Sequence, residues 1–323
     1  MSLVGDAMEL HGAPYHGIYH AVDCAQTLLV FLNTFGAEKF FSPLEAFALL
    51  IAALCHDLEH PGLSVTYQEN AQVCFRALPC LSSCISLAFL PTQSSHTKQH
   101  NHLLQTPLAL RYIACPSILE SHHCACAFAI LRRPESSIFA ALDTEQFKQA
   151  RELIVSSILA TDMKTHFDLQ GQIAQLNTAE ALQQHSALLA QALVHAADIS
   201  NPLKPFDISK RWSDLVVQEF FAQGDRERQE GLPVSANMDR DTTEQAALSV
   251  NFCDFIVAPF FVMLSSALPP MKLAVDMLAT NRGIWQSRRQ KGSKEDEDKW
   301  QRRDSSFLQL LASKKADKQD KTT

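Results

Sequence analysis

Residues Pro43–His60, PLEAFALLIAALCHDLEH, decide the fold. Ser42 stands before them as a helix N-cap, and the apolar residues that follow recur at helical spacing on nearly every side. A helix that is apolar all round is a central buried one. It ends in a polar cluster, His56, Asp57 and His60, which an ordinary core helix has no reason to carry. If the helix continues to its last residue, His56 and His60 share a face and Asp57 projects about 100° away.

Working outward, Ile18–Phe35 has the same helical rhythm, and further runs cover Asp143–His166, Thr178–Ala197, Asp207–Gln223 and Asp241–Leu264. Asn201-Pro202, Pro205 and Pro269-Pro270 break the chain between them. Ten glycines in 323 residues, with no alternating Val- or Thr-rich runs, argue against a sheet-rich fold. The expected fold class is all-α, a compact multi-helix domain over residues 1–287. Residues 288–323 turn to Lys, Arg, Asp, Glu and Ser and predict a charged mobile tail, with at most a short helix near Phe307–Ala312.

The apolar fraction of 46% and charged fraction of 20% are those of a soluble globular protein. A net charge of −7 offers no general attraction for nucleic acid or anionic membrane. An anionic substrate therefore needs a local cationic device, and bound metal is the obvious one. Nine cysteines with no CxxC pair, and no leader at the start, predict a reduced intracellular protein, cytoplasmic by default. The run Val73–Pro91 is interrupted by Arg76 and Pro79, so no membrane span is expected.

Four short segments hold the residues suited to chemistry. YHGIYHAVD places His16 and His20 four apart, on one face if the segment is helical. HDLEH carries His56, Asp57 and His60; ESHH carries Glu120, His122 and His123; HAADISNP carries His195, Asp198 and Asn201. Imidazole with carboxylate suits zinc and similar divalent ions. An adjacent His-Asp pair can hold two metals, the carboxylate bridging to the second. A single His or Asp on an apolar helix is more often a hydrogen-bonded core residue, but four such segments in one helical chain favour the metal reading.

These motifs resemble the class I 3′,5′-cyclic-nucleotide phosphodiesterases. The resemblance runs from Tyr15 to Trp285 through YHGIYHAVD, HDLEHPG, LALRY, ILESHH, ATDMKTHF, HAADISNP, RWSDLVVQEFFAQGDRER and NRGIWQS, in the family's order. It implies that residues 1–287 are a catalytic domain hydrolysing cyclic AMP, cyclic GMP or both to 5′-monophosphates. His20, His56, Asp57 and Asp198 would hold a tight zinc-like ion, with Asp57 bridging to a second, Mg or Mn. A hydroxide activated between the metals would attack phosphorus, and His16 would protonate the leaving 3′ oxygen. His60, Glu120, His123 and Thr161 would orient metal-bound waters and the acid. Tyr15, Asn201, Val216, Phe220, Ser249 and Phe252 match positions contacting the base, with Phe252 and Val216 clamping the purine.

The sequence departs from the family pattern in several places. Ser249 stands where a glutamine usually hydrogen-bonds the purine, a loss on the order of 1–3 kcal/mol if purine groups are left unpaired. Val65 replaces an asparagine, Gly17 another, and Glu59 an aspartate; no expected metal ligand is missing. Only 14 residues precede Tyr15, so the domain is expected to be truncated at its N-terminus relative to the family. Residues Val73–Gln105 lack both helical rhythm and loop polarity. Removing them joins NAQ to TPLALRY, which predicts a retained intron in translation, at codons compatible with splice junctions. The rival is a genuine surface insertion, with His96, His100 and His102 as a metal cluster. Two other functions compete. One is a catalytically impaired binding module, against which the intact His16 and ligand set argue. The other is an HD-type hydrolase of other nucleotides, against which HAADISNP and RWSDLVVQEFFAQGDRER argue. Protein partners are not indicated.

Overall fold

The computed structural model describes residues 2–70, 106–176 and 178–289, and among these there are helices and turns but no strand. The expected insertion at 73–105, with its three histidines, and most of the expected tail lie outside the described residues. The helices are α1 Ser2–Met8, α2 Ile18–Leu29, α3 Pro43–Cys55, α4 Val65–Asn70, α5 Pro107–Arg111, α6 Ile118–Leu131 and α7 Thr144–Leu159. They continue as α8 His166–Ala174, α9 Ala179–Gln184, α10 Ser186–Asp198, α11 Phe206–Gln229, α12 Gln245–Phe252, α13 Ala258–Ala267 and α14 Lys272–Arg288.

The helix α3 is the hub, packed on α2, α6, α7 and α10. Ser42 caps it as the sequence predicts. Its hydroxyl accepts from the Glu45 N–H, and the Glu45 carboxylate accepts from the Ser42 N–H at 2.7 Å. Ala48, Ala52 and Ala53 are fully buried, as are Ala190, Ala192, Ala196 and Ala197 of α10. Small residues on both helices let the backbones come close, so their C-terminal ends, carrying His56 and Asp198, converge.

Several expected runs break where local geometry changes. Asp143–His166 ends as a helix at Leu159, and Thr178–Ala197 is divided at His185, which sits at φ −114° and ψ 38°. Asp241–Leu264 starts only at Gln245 and passes through a π-turn at Cys253–Val257. Gln245–Ala267 is long and apolar enough to cross a membrane by length and composition alone. Here Val250, Val257, Ala258, Phe260, Phe261 and Leu264 are fully buried in the protein, as in a core helix. A bidentate pair between Arg282 of α14 and Asp254 of the π-turn, at 2.9 and 3.0 Å, ties these two elements together.

The long helix α11 approaches the turn at 235–239 so closely that only glycine fits at position 224. A Cβ there would sit 1.9 Å from the Met238 carbonyl oxygen and 2.7 Å from its carbon. Gly224→Ala is expected to destabilise the fold by about 1–3 kcal/mol, the range for overpacking. Urea denaturation checks this, and an unchanged midpoint would mean that the turn yields freely.

Candidate active site

The ends of α2, α3 and α10 bring together side chains far apart in the chain. His20 Nε2 lies 2.9 Å from Asp198 Oδ1 and 3.5 Å from Asp57 Oδ2. His56 Nε2 lies 3.0 Å from Asp57 Oδ2 and 3.3 Å from Asp198 Oδ1. Both imidazoles are buried, and the His56 ring is oriented by its Nδ1–H donating to the Ala53 carbonyl at 2.9 Å. All four expected ligands thus converge. Cys24, one turn along α2, joins them, its sulfur 3.6 Å from His20 Nε2.

The electrostatics of the cluster suit a cation. Burial lowers the pKa of His56, but Asp57 and Asp198 overcome that and hold it well above its ordinary value. Burial raises Asp57 and Asp198, and the neighbouring imidazolium charge reverses this, holding both well below the carboxylate range. The buried Asp57 and half-buried Asp198 carboxylates thus favour a cation between them. Asp57 Oδ2 is buried with no partner in hydrogen-bonding geometry, which suits an atom that ligates a metal.

His16 does not share a helix with His20. Gly17 is extended at φ −126° and ψ −175°, and α2 begins only at Ile18. His16 instead hangs on Glu219 of α11. One Glu219 oxygen takes His16 Nδ1 at 2.5 Å, and the other accepts the backbone N–H groups of Tyr15 and His16 at 3.1 and 3.3 Å. This fixes the tautomer with Nδ1–H donated, leaving Nε2 for chemistry. Burial pulls the His16 pKa down, but Glu219 and then Asp57 carry it up to about 9.

The shared face expected for His56 and His60 is also corrected. The α3 helix stops at Cys55, and Glu59 adopts the left-handed φ of 58°, so the chain turns before His60. His60 then stacks on His16 with ring centroids 3.7 Å apart. Its Nδ1 accepts from the Gly62 N–H, and burial together with His16 keeps its pKa well below normal. His123 donates Nδ1–H to the Leu58 carbonyl at 2.6 Å, with Nε2 3.9 Å from Asp57. The Thr161 hydroxyl donates to the Ile158 carbonyl at 2.8 Å.

Glu120 is buried on the first turn of α6, and its Oε2 has no hydrogen-bond partner. Burial first, then Asp162, pushes its carboxyl up to about 7 from 4.5. A raised carboxyl pKa penalises the folded state progressively as pH rises from 4.5 through 7. In the metal-free protein, Glu120→Gln is expected to gain stability over wild type across that window, by on the order of 3 kcal/mol at its top. Thermal melts of chelated protein at pH 5 and pH 8 check this. Parallel curves would mean that Glu120 is solvated.

From the ligand cluster an apolar cleft of about 430 Å³ opens between α11 and α12. Tyr15, His16, Asp198, Asn201, Val216, Phe220, Ser249 and Phe252 line it, so every expected base-contacting residue faces one space. Asn201 donates its amide N–H to the Tyr15 hydroxyl, and the Tyr15 ring lies 4.5 Å from that of His20. Ser249 pairs with the Ser213 hydroxyl at 3.0 Å, and Gln245 donates to Ser213 at the same distance. Sequence reasoning overlooked Glu219, Trp212 and Cys24. Glu219 lies between two residues it did select, Val216 and Phe220, within one helical turn.

A sequence model of the 3′5′-cyclic nucleotide phosphodiesterases matches residues 15–78 and 94–278. The chain is 34% identical over 85% of its length to the high affinity cGMP-specific 3′,5′-cyclic phosphodiesterase 9A of Mus musculus, covering 45% of that protein. It is 32% identical over 84% of its length to the 3′,5′-cyclic-nucleotide phosphodiesterase regA of Dictyostelium discoideum, covering 31%. The chain thus spans less than half the length of these relatives. The phosphodiesterase domain of the RhoPDE fusion protein from the choanoflagellate Salpingoeca rosetta superposes with a TM-score of 0.73 at 29% identity, over 88% of this chain and 81% of that one.

Proposed function

This chain belongs to the 3′5′-cyclic nucleotide phosphodiesterase family, and from that membership we propose that it hydrolyses cyclic AMP, cyclic GMP or both to 5′-nucleoside monophosphates. The observation that carries the proposal is one cleft in which the half-buried Asp198 opens a His20–His56–Asp57–Asp198 cluster onto a carboxylate-braced His16 and an apolar slot. The slot, between Phe252 on α12 and Val216 and Phe220 on α11, takes the flat base, leaving the cyclic phosphate toward the polar end.

His20, His56, Asp57 and Asp198 would hold zinc, and Asp57 would share a second ion, Mg or Mn. Imidazole with carboxylate favours the first, and oxygen donors with water the second. The chemistry such ions supply is Lewis acidity toward the phosphoryl oxygens and acidification of water. Water adds to phosphorus and releases one proton to solvent, and the bond from phosphorus to the 3′ oxygen breaks. His16 Nε2 delivers its proton to that oxygen, and Glu219 stabilises the imidazolium beforehand. His60, stacked on His16 and held with Nδ1 as acceptor, limits the ring's rotation. Asn201 and Tyr15 position each other at the junction of polar end and slot.

The deciding experiment incubates the purified chain with Mg and each cyclic nucleotide and follows formation of 5′-monophosphate. Turnover of either supports the proposal, and the ratio of the rates shows what the Ser249 hydroxyl selects. Folded, metal-loaded protein that binds but does not turn over would favour a binding module instead.

A further inference from the structure

Behind the hydrolytic centre, the turn after α3 and the helix α6 build a second donor cluster. Glu59 Oε2 lies 3.0 Å from His122 Nε2, and the Cys126 sulfur lies 3.5 Å from the same nitrogen. The three donor atoms fall within 4.8 Å of one another. His122 and Cys126 are four residues apart on α6 and share a face. Glu59 reaches them from a left-handed backbone at φ 58°, an uncommon conformation for a residue with a side chain. On the far side of the imidazole, the Tyr112 hydroxyl lies 3.3 Å from His122 Nδ1. That contact holds the ring orientation in which Nε2 faces Glu59, as outer partners do for metal-bound histidines, and Nε2 gives up the proton it shares with Glu59 when metal binds. The hydrolytic mechanism uses none of these four side chains.

We infer that Glu59, His122 and Cys126 form a third metal site, selective for zinc, with a fourth position open to water. Thiol, imidazole and carboxylate together make a donor set that zinc takes readily and magnesium does not. Donors at zinc distances of about 2.0–2.3 Å stand roughly 3.3–3.8 Å apart in a tetrahedron. The Glu59 separation of 3.0 Å needs only a small shift, whereas the Cys126 sulfur, 3.5 Å from Nε2 and 4.0 Å from Nδ1, lies beside the ring and swings toward the Nε2 lone pair on binding. Binding releases the Cys126 thiol proton to solvent and forms a zinc–sulfur bond, with no redox change. The Glu59 side chain is 32% exposed, which leaves room for a water ligand. The site's effect is mechanical. It pins the turn carrying Asp57 and His60 to α6, which carries Glu120 and His123.

The competing account is a hydrogen-bonded brace, Glu59–His122–Tyr112, with Cys126 merely packed beside it. Zinc content and cobalt spectra of the full chain separate the two. Wild type is expected to hold one more zinc per chain than Cys126→Ala after dialysis against excess zinc. Cobalt-substituted wild type should show thiolate-to-cobalt charge-transfer absorption that disappears in Cys126→Ala. It should persist in Cys24→Ala, which removes the sulfur beside His20. If Cys126→Ala fails to fold, Cys126→Ser keeps the volume and a weak donor, and should lose the same absorption. Equal zinc content in wild type and the Cys126 variant, or an absorption that follows Cys24 instead, would overturn the site. These readouts do not depend on turnover, so they stand or fall separately from the hydrolytic proposal.

Discussion

Asp198→Ala is expected to lower kcat for cyclic-nucleotide hydrolysis by well over a hundredfold while the helical fold persists. Asp198 is the last residue of α10, and its Oδ1 contacts both His20 and His56, so one carboxylate links the ends of three helices. Removing an outer partner of a metal ligand costs roughly 10–100-fold in affinity or activity, and removing a ligand itself costs more. The zinc content of the variant should fall in parallel. The core around α3 and α10 does not use this side chain, so circular dichroism should be unchanged. Activity within tenfold of wild type, with full zinc content, would remove Asp198 from the ligand set.

The second large effect concerns His16. His16→Ala should reduce kcat by about 10²–10⁴-fold, the usual range for a general acid. A substrate whose leaving group needs no proton should recover most of that loss, which a purely structural role would not allow. The pH dependence supplies an independent check. Burial opposes, and Glu219 produces, the rise of the His16 pKa to about 9. With metal on Asp57 and Asp198 the part of the rise due to Glu219 remains, so the acid form, and hence activity, should be lost as pH climbs through the raised pKa. Glu219→Gln removes the charge that raises the pKa, so the alkaline limb of the kcat/KM profile should move to lower pH. In the metal-free protein the same raised pKa means that protonated His16, facing Glu219 and then Asp57, stabilises the fold fully below about 6.5 and loses this effect as pH rises through about 9. An alkaline limb that stays in place in Glu219→Gln would show that another group sets it.

The central helix was legible because its signals are local. Apolar spacing over residues 44–55 and the Ser42–Glu45 cap depend only on neighbours in sequence. The four metal-ligand candidates were legible for a similar reason, since His and Asp at the ends of apolar runs stand out against their surroundings. The helix α14 was not, because Lys272–Arg288 mixes polar residues through every turn and takes its place from Val275, Leu278 and Trp285 buried against other elements. The position of His60 was hidden because it depends on the left-handed turn at Glu59, which no helical periodicity reports. Glu219 was hidden for a different reason. An acid in an amphipathic helix reads as solvent-facing until the segment carrying Tyr15 and His16 folds over it.

That placement of Glu219 has a bearing on how substrate choice can change. Val216, Glu219 and Phe220 occupy a single turn of α11, so the groove proposed to grip the base and the bracket proposed to aim the proton donor share one helix. A slip or roll of α11 to admit a different base would carry the bracket with it. Substitutions that reshape the groove should therefore alter kcat together with KM, and a lineage adjusting its preference would have to retune proton delivery at each step.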